Sequence, residues 1–138
     1  MKNLATIILL FSLTGIFSSC KKMVEDMQAD IVLDLLTKGD WFIEEFRMNE
    51  ADNTHLFSDY VFRFDKQGGV KYFYLNETGS GTWKENLENY SITTHFPSAT
   101  SPVDMLNAEW KIITGLQDYC EAKTTGEGKT YFMKFRKK

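Results

Sequence analysis

"FSDYVFRFDKQGGVKYFYL", residues 57–75, decides the fold. Its apolar side chains recur at every second position. Tyr60, Phe62 and Phe64 fall on one face, and Asp59, Arg63 and Asp65 on the other. After "KQGG" the same rhythm resumes with Val70, Tyr72 and Tyr74. A period of two is the signature of a strand with one buried face. Glycine reaches positive φ cheaply, so "KQGG" is a tight turn joining two antiparallel strands.

The pattern extends in both directions. "WFIEEFRM" precedes it as a first strand. Beyond it, "NETGSG" reads as a second turn and "TWKENL" as a strand carrying Trp83. "YSITTHF" sets Tyr90, Ile92, Thr94 and Phe96 on one side. "PSATSP" interrupts the pattern, because proline opposes central pairing. "AEWKIITGL" carries Trp110 and Ile112, "DYCEAKT" is a short strand, "TGEG" turns, and "KTYFMKFRKK" closes with Tyr131, Met133 and Phe135 inward. This makes about eight strands in about 100 residues, joined by short links that favour an antiparallel meander. Closing the meander removes its two exposed edges. The expected fold is therefore mainly β, a small eight-stranded barrel over residues 39–138, with a two-sheet sandwich as the other architecture.

Before the barrel, Met23, Met27, Ile31 and Leu35 recur every four residues. Acidic residues come early and Lys38 late, the order a helix dipole favours, and Gly39 suits the position after the last turn. The spacing predicts one N-terminal helix over about residues 23–38. Its polar face is acidic, whereas membrane-surface helices favour Lys and Arg, so packing on its own domain is the expectation.

Residues 1–19 have the makings of a secretory signal: Lys2, then the apolar run "LATIILLFSLTGIF", then "SSC" ending at Cys20. The run is shorter than the roughly 20 residues a spanning helix needs. It resembles a bacterial lipoprotein signal of the looser Bacteroidetes kind, with Phe17 where the usual pattern has Leu. That resemblance implies cleavage before Cys20 and acylation of its sulfur and its new amine, a membrane anchor through fatty chains, and a place in the bacterial cell envelope at the outer membrane. Cys120 would then have no partner thiol on its own chain. It reads as a small buried hydrophobe or as half of an intermolecular disulfide.

Net charge is −3, and losing Lys2 with the signal leaves about −4. Nucleic-acid binding needs a surplus of Lys and Arg and is not expected. No cofactor or metal is expected either: His55 and His95 form no metal spacing, and "GEGKT", residues 126–130, lacks the first glycine of a phosphate loop. No nucleophile–base arrangement is evident, so the chain is not expected to be an enzyme. Glu44 and Glu45 are expected on opposite faces of their strand.

Gly39-Asp40-Trp41 resembles the G-x-W opening of lipocalins, and "FRFDKQGGV", "GTWK" and "AEWKIITGL" together resemble the lipocalin-like domains of Bacteroidetes lipoproteins. The resemblance implies that Trp41 caps the closed end of the barrel beneath a basic residue of the last strand, with Arg136 the candidate. It also implies a small hydrophobic or glycan-like ligand in or at the barrel. The ring-bearing candidates are Trp41, Tyr72, Tyr74, Trp83, Tyr90 and Trp110, which either line a cavity or pack a core. The competing expectation is a filled barrel that docks on another envelope protein.

Overall fold

The computed structural model describes residues 29–114 and 117–138. The signal segment, Cys20 and the first part of the expected helix lie outside the described residues. Residues 29–37 are helical (α1). Nine strands follow: β1 Trp41–Met48, β2 Ala51–Asp52, β3 Tyr60–Phe64, β4 Gly69–Tyr74, β5 Glu77–Asn86, β6 Ser91–His95, β7 Ala108–Thr114, β8 Tyr119–Gly126 and β9 Lys129–Lys137. Each is antiparallel to its neighbour in the order β2-β1-β3-β4-β5-β6-β7-β8-β9, and β1 pairs back on β9. Eight strands therefore close a meander barrel, and the two-residue β2 is an appendage on the rim. Closure runs from Trp41↔Lys137 at the helix end to Met48↔Tyr131 at the far end.

The alternation seen in the sequence sets what faces inward. Phe62, Phe64, Val70, Trp83, Ile92, Trp110, Met133 and Phe135 are all buried in one cluster. β1 departs from strict alternation. Its register against β9 slips between Ile43 and Glu45, so Trp41, Ile43 and Phe46 are the buried residues. One bulged residue restores the inward direction of Phe46. The slip also corrects the expected placing of Glu44 and Glu45. Glu44 accepts from Arg136 on the outer surface, and Glu45 pairs with Arg47.

"KQGG" turns as expected. Asp65 Oδ1 accepts from the main-chain N–H of Gln67 and Gly69, and Gly68 takes φ +86°. "NETGSG" is not a turn. The chain reverses over Leu75 and Asn76 alone, and Glu77 already pairs with Tyr74. The glycines that suggested a loop serve a different purpose. A Cβ at Gly79 would stand 2.1 Å from the Tyr72 ring, and one at Gly81 would stand 2.6 Å from the Phe96 ring. Both rings lie across β5 where a side chain would otherwise be. "TGEG" does turn, with Glu127 and Gly128 both at positive φ.

α1 closes one end of the barrel through Leu36, which is 2% exposed. Asp34 bonds Lys66 in the β3–β4 turn, on the outside of the same end. The far end is covered by two short 3-10 turns, Thr54–Phe57 and Val103–Leu106, which bury Phe57, Val103 and Leu106.

Candidate functional site

The six ring-bearing candidates do not converge on a pocket. Trp41, Trp83 and Trp110 are buried, and each indole N–H is already engaged. Trp41 donates to the Leu36 carbonyl (2.9 Å), Trp83 to the Asp65 carbonyl (3.0 Å) and Trp110 to the Leu106 carbonyl (3.0 Å). An indole used in this way offers a ligand no donor. Trp41 does cap the helix end, but the cation above it is Lys137, 5.2 Å from the ring, not Arg136. Arg136 follows the buried Phe135 on β9 and so points outward, to Glu44 (2.8 Å) and to the face of Tyr119.

Tyr72 and Tyr74 are half-buried. Tyr74 stacks on Tyr60 with centroids 4.3 Å apart, and Tyr72 meets Phe96 edge-on at 5.8 Å. This shelf of rings continues the core to the rim. Tyr90 is misplaced by the sequence pattern. It lies in the β5–β6 turn, at φ +51° and 69% exposed, because β6 begins one residue later at Ser91.

The interior retains a void of about 30 Å³, lined by Leu36, Phe62, Ile92, Trp110, Cys120 and Met133 among others. Drug-sized ligands occupy pockets of roughly 300–1,000 Å³. Among the described residues lining this void, the Thr94 hydroxyl and the Trp110 indole N–H both donate to the Leu106 carbonyl (2.5 and 3.0 Å). Burial pushes the Cys120 thiol up to about 12, which makes it an apolar filler rather than a nucleophile. No group of three or more His, Cys, Asp or Glu side chains suited to a metal exists among the described residues. No helix among them is long and apolar enough to cross a membrane.

Charge is arranged on the outer wall. Asp40 takes two bonds from Arg63 (2.7 and 3.0 Å), and that hydrogen bonding holds its carboxyl below the usual range. Hydrogen bonding from Arg136 does the same for Glu44, with Lys134 adding a weaker contact at 3.3 Å. These are structural clasps between strands.

The space that does exist is in the wall. β7 and β8 share register only from Lys111↔Lys123 toward the helix end. Above that rung, Ala108 and Trp110 pair with β6, while Thr124–Gly126 pair with β9. Two adjoining grooves, of about 390 and 780 Å³, open along this parting and share Asn107, Ala108, Thr124, Thr125 and Gly126. The sequence contains no warning of it, since both strands keep their alternation through the parting.

No protein-family model and no curated protein matches the sequence. Among solved structures, the fold is similar to that of a DUF4847 family protein from Bacteroides vulgatus. The TM-score is 0.57 at 16% identity, over 76% of this chain and 96% of the other. At that identity the likeness speaks for the fold: a small antiparallel β-barrel, compatible with the lipocalin-like reading.

Proposed function

We propose that the protein is a non-catalytic docking module of the bacterial cell envelope, held at the outer membrane by acyl chains on Cys20, with a filled barrel whose working surface is its outside. One observation carries the choice between the two functional expectations. The interior is packed with interlocking rings and keeps a void of about 30 Å³, far below what a small hydrophobic molecule or a glycan fragment needs. A lipocalin-like barrel emptied of its ligand cavity retains a rigid scaffold and loses the reason to enclose anything. Tethering fits such a role: two or three acyl chains hold firmly where one holds marginally, at about 0.8 kcal/mol per buried methylene.

The reading is tested by native mass spectrometry on protein purified from its own host. The expected spectrum shows acylated protein with no small molecule retained. A stoichiometric lipid or sugar adduct beyond the acyl chains would overturn the filled-barrel reading. On Triton X-114 partitioning, the wild type should enter the detergent phase and Cys20→Ala the aqueous phase. Retention of Cys20→Ala in detergent would overturn the anchor.

A further inference from the structure

We infer that the parting between β7 and β8 is a docking groove for an extended peptide segment, which adds to the barrel wall as a strand. The inference rests on the docking-module reading above and supplies its partner chemistry.

The main chain carries the argument. Ile112 donates its N–H to the Tyr90 carbonyl at 2.8 Å. Main-chain groups alternate sides along a strand, so those of Ala108 and Trp110 turn toward β6, and those of Glu109 and Lys111 turn toward β8. Lys111 finds its rung with Lys123, but no rung joins Glu109 to Thr125. On the other lip, Lys137 donates its N–H to the Asp118 carbonyl at 2.8 Å, so by the same alternation Thr124 turns its main-chain groups toward Tyr131 of β9 and Thr125 turns its own toward the parting. One donor and one acceptor on each lip are therefore presented to the groove at strand spacing.

The barrel shows what it does elsewhere with such an edge. β1 and β3 also part, sharing only the rung Trp41↔Phe62. There the chain covers its own gap. Asn53 donates its N–H to the Phe46 carbonyl (2.8 Å), Thr54 Oγ1 accepts from the Phe46 N–H (3.0 Å), and Phe57 fills the space beneath. Among the described residues, no such segment bonds the edges of Glu109 and Thr125.

Natural sheets guard open edges with proline, lysine or a bulge. The open part of the lips carries the small side chains of Ala108, Thr124, Thr125 and Gly126, while Lys111, Lys123 and the β7 bulge between Ile112 and Thr114 lie at and beyond the closing rung. Charge gives the groove a direction. Asp104, Glu109 and Glu127 stand toward the open end, and Lys111 and Lys123 stand where the wall closes, beside Glu88 of the β5–β6 turn, so the closing end holds two cations to one anion. An extended peptide with a cationic end and an anionic end matches that polarity, and strand addition supplies main-chain bonds to both.

The test uses the mature chain and a synthetic eight-residue peptide of alternating Val and Thr, with lysine at one end and glutamate at the other. Amide hydrogen exchange is followed residue by residue. In the free protein, the Glu109 and Thr125 amides should exchange freely while those of Lys111 and Lys123 stay protected. Peptide at about 1 mM should slow Glu109 and Thr125 by about tenfold or more. A second arm uses Thr125→Pro, which deletes the N–H facing the groove and spares the β9 ladder. It should abolish the peptide effect at Glu109. If that variant does not fold, Ala108→Lys supplies the edge guard instead. Protection of Glu109 and Thr125 in the free chain, by closure of the wall or by the chain's own N-terminal segment, overturns the inference. So does exchange unchanged by the peptide, or a Thr125→Pro protein that responds like wild type. Each of these outcomes leaves the filled-barrel reading standing, which the mass spectrum judges separately.

Discussion

Gly81→Ala is the sharpest probe of how this barrel is packed. The added Cβ would lie 2.3 Å from the His95 carbonyl oxygen and 2.6 Å from Phe96 Cδ1. Ordinary contacts begin near 3.4 Å, so both overlaps are close to an ångström. Neither neighbour can yield alone. The carbonyl belongs to the rung Thr82↔His95, and Phe96 is 2% exposed and wedged between Phe62 and Tyr72. Overpacking of this kind costs about 2–3 kcal/mol, which for a domain of this size lowers Tm by about 8–15 °C. Gly79→Ala, two residues earlier on the same strand, is the internal comparison. Its Cβ meets only the far end of the half-buried Tyr72 side chain, which can swing outward, so the cost should be about 1 kcal/mol. Differential scanning calorimetry of the two variants, with Gly126→Ala as a control whose Cβ has nothing within 4 Å, checks the order. A Gly81→Ala melt within 2–3 °C of wild type, or one no lower than that of Gly79→Ala, would refute the packing described for β5.

Three further outcomes are expected. Trp41→Phe removes the indole bond to Leu36 and leaves a cavity at the helix end, so it should cost about 2–3 kcal/mol; chemical denaturation with unchanged barrel circular dichroism and faster amide exchange in residues 29–37 would report it. The Cys120 thiol, pushed up to about 12 by burial, should resist a thiol reagent at pH 8 until the protein unfolds. Its folded value lies above the unfolded one, so its contribution is present below about pH 9 and is lost as pH rises toward 12; a Cys120→Ala protein should lack that alkaline loss. Asp40 and Glu44 are held below their usual carboxylate range by Arg63 and Arg136. Their contribution is present above the unfolded values and is lost as pH falls through the folded ones, so Tm should hold steady to about pH 5 and decline below about pH 4; the effect should be small because both pairs face water, and a Tm that rises on acidification would contradict it.

Much of the barrel was legible because inward side chains must alternate, and Tyr60-Phe62-Phe64 or Tyr131-Met133-Phe135 announce themselves whatever surrounds them. Glycine misled for a physical reason. In "NETGSG" it marks the approach of a ring across a strand, and sequence alone does not distinguish that from a bend. Tyr90 misled because alternation continues smoothly from a turn into β6. The bulge in β1 and the loss of rungs above Lys111↔Lys123 were invisible, since both depend on where two distant segments stop bonding, and neither changes the composition of either segment.

The three indoles carry one more consequence. Each clasps a carbonyl in a different accessory part: the helix, the β3–β4 turn and the loop before β7. Tryptophan emission from this protein should therefore be blue-shifted and should change as one event when those parts let go. A molecule that dims it would be disclosing damage to the scaffold, and screening by fluorescence would mistake poisons of the fold for partners.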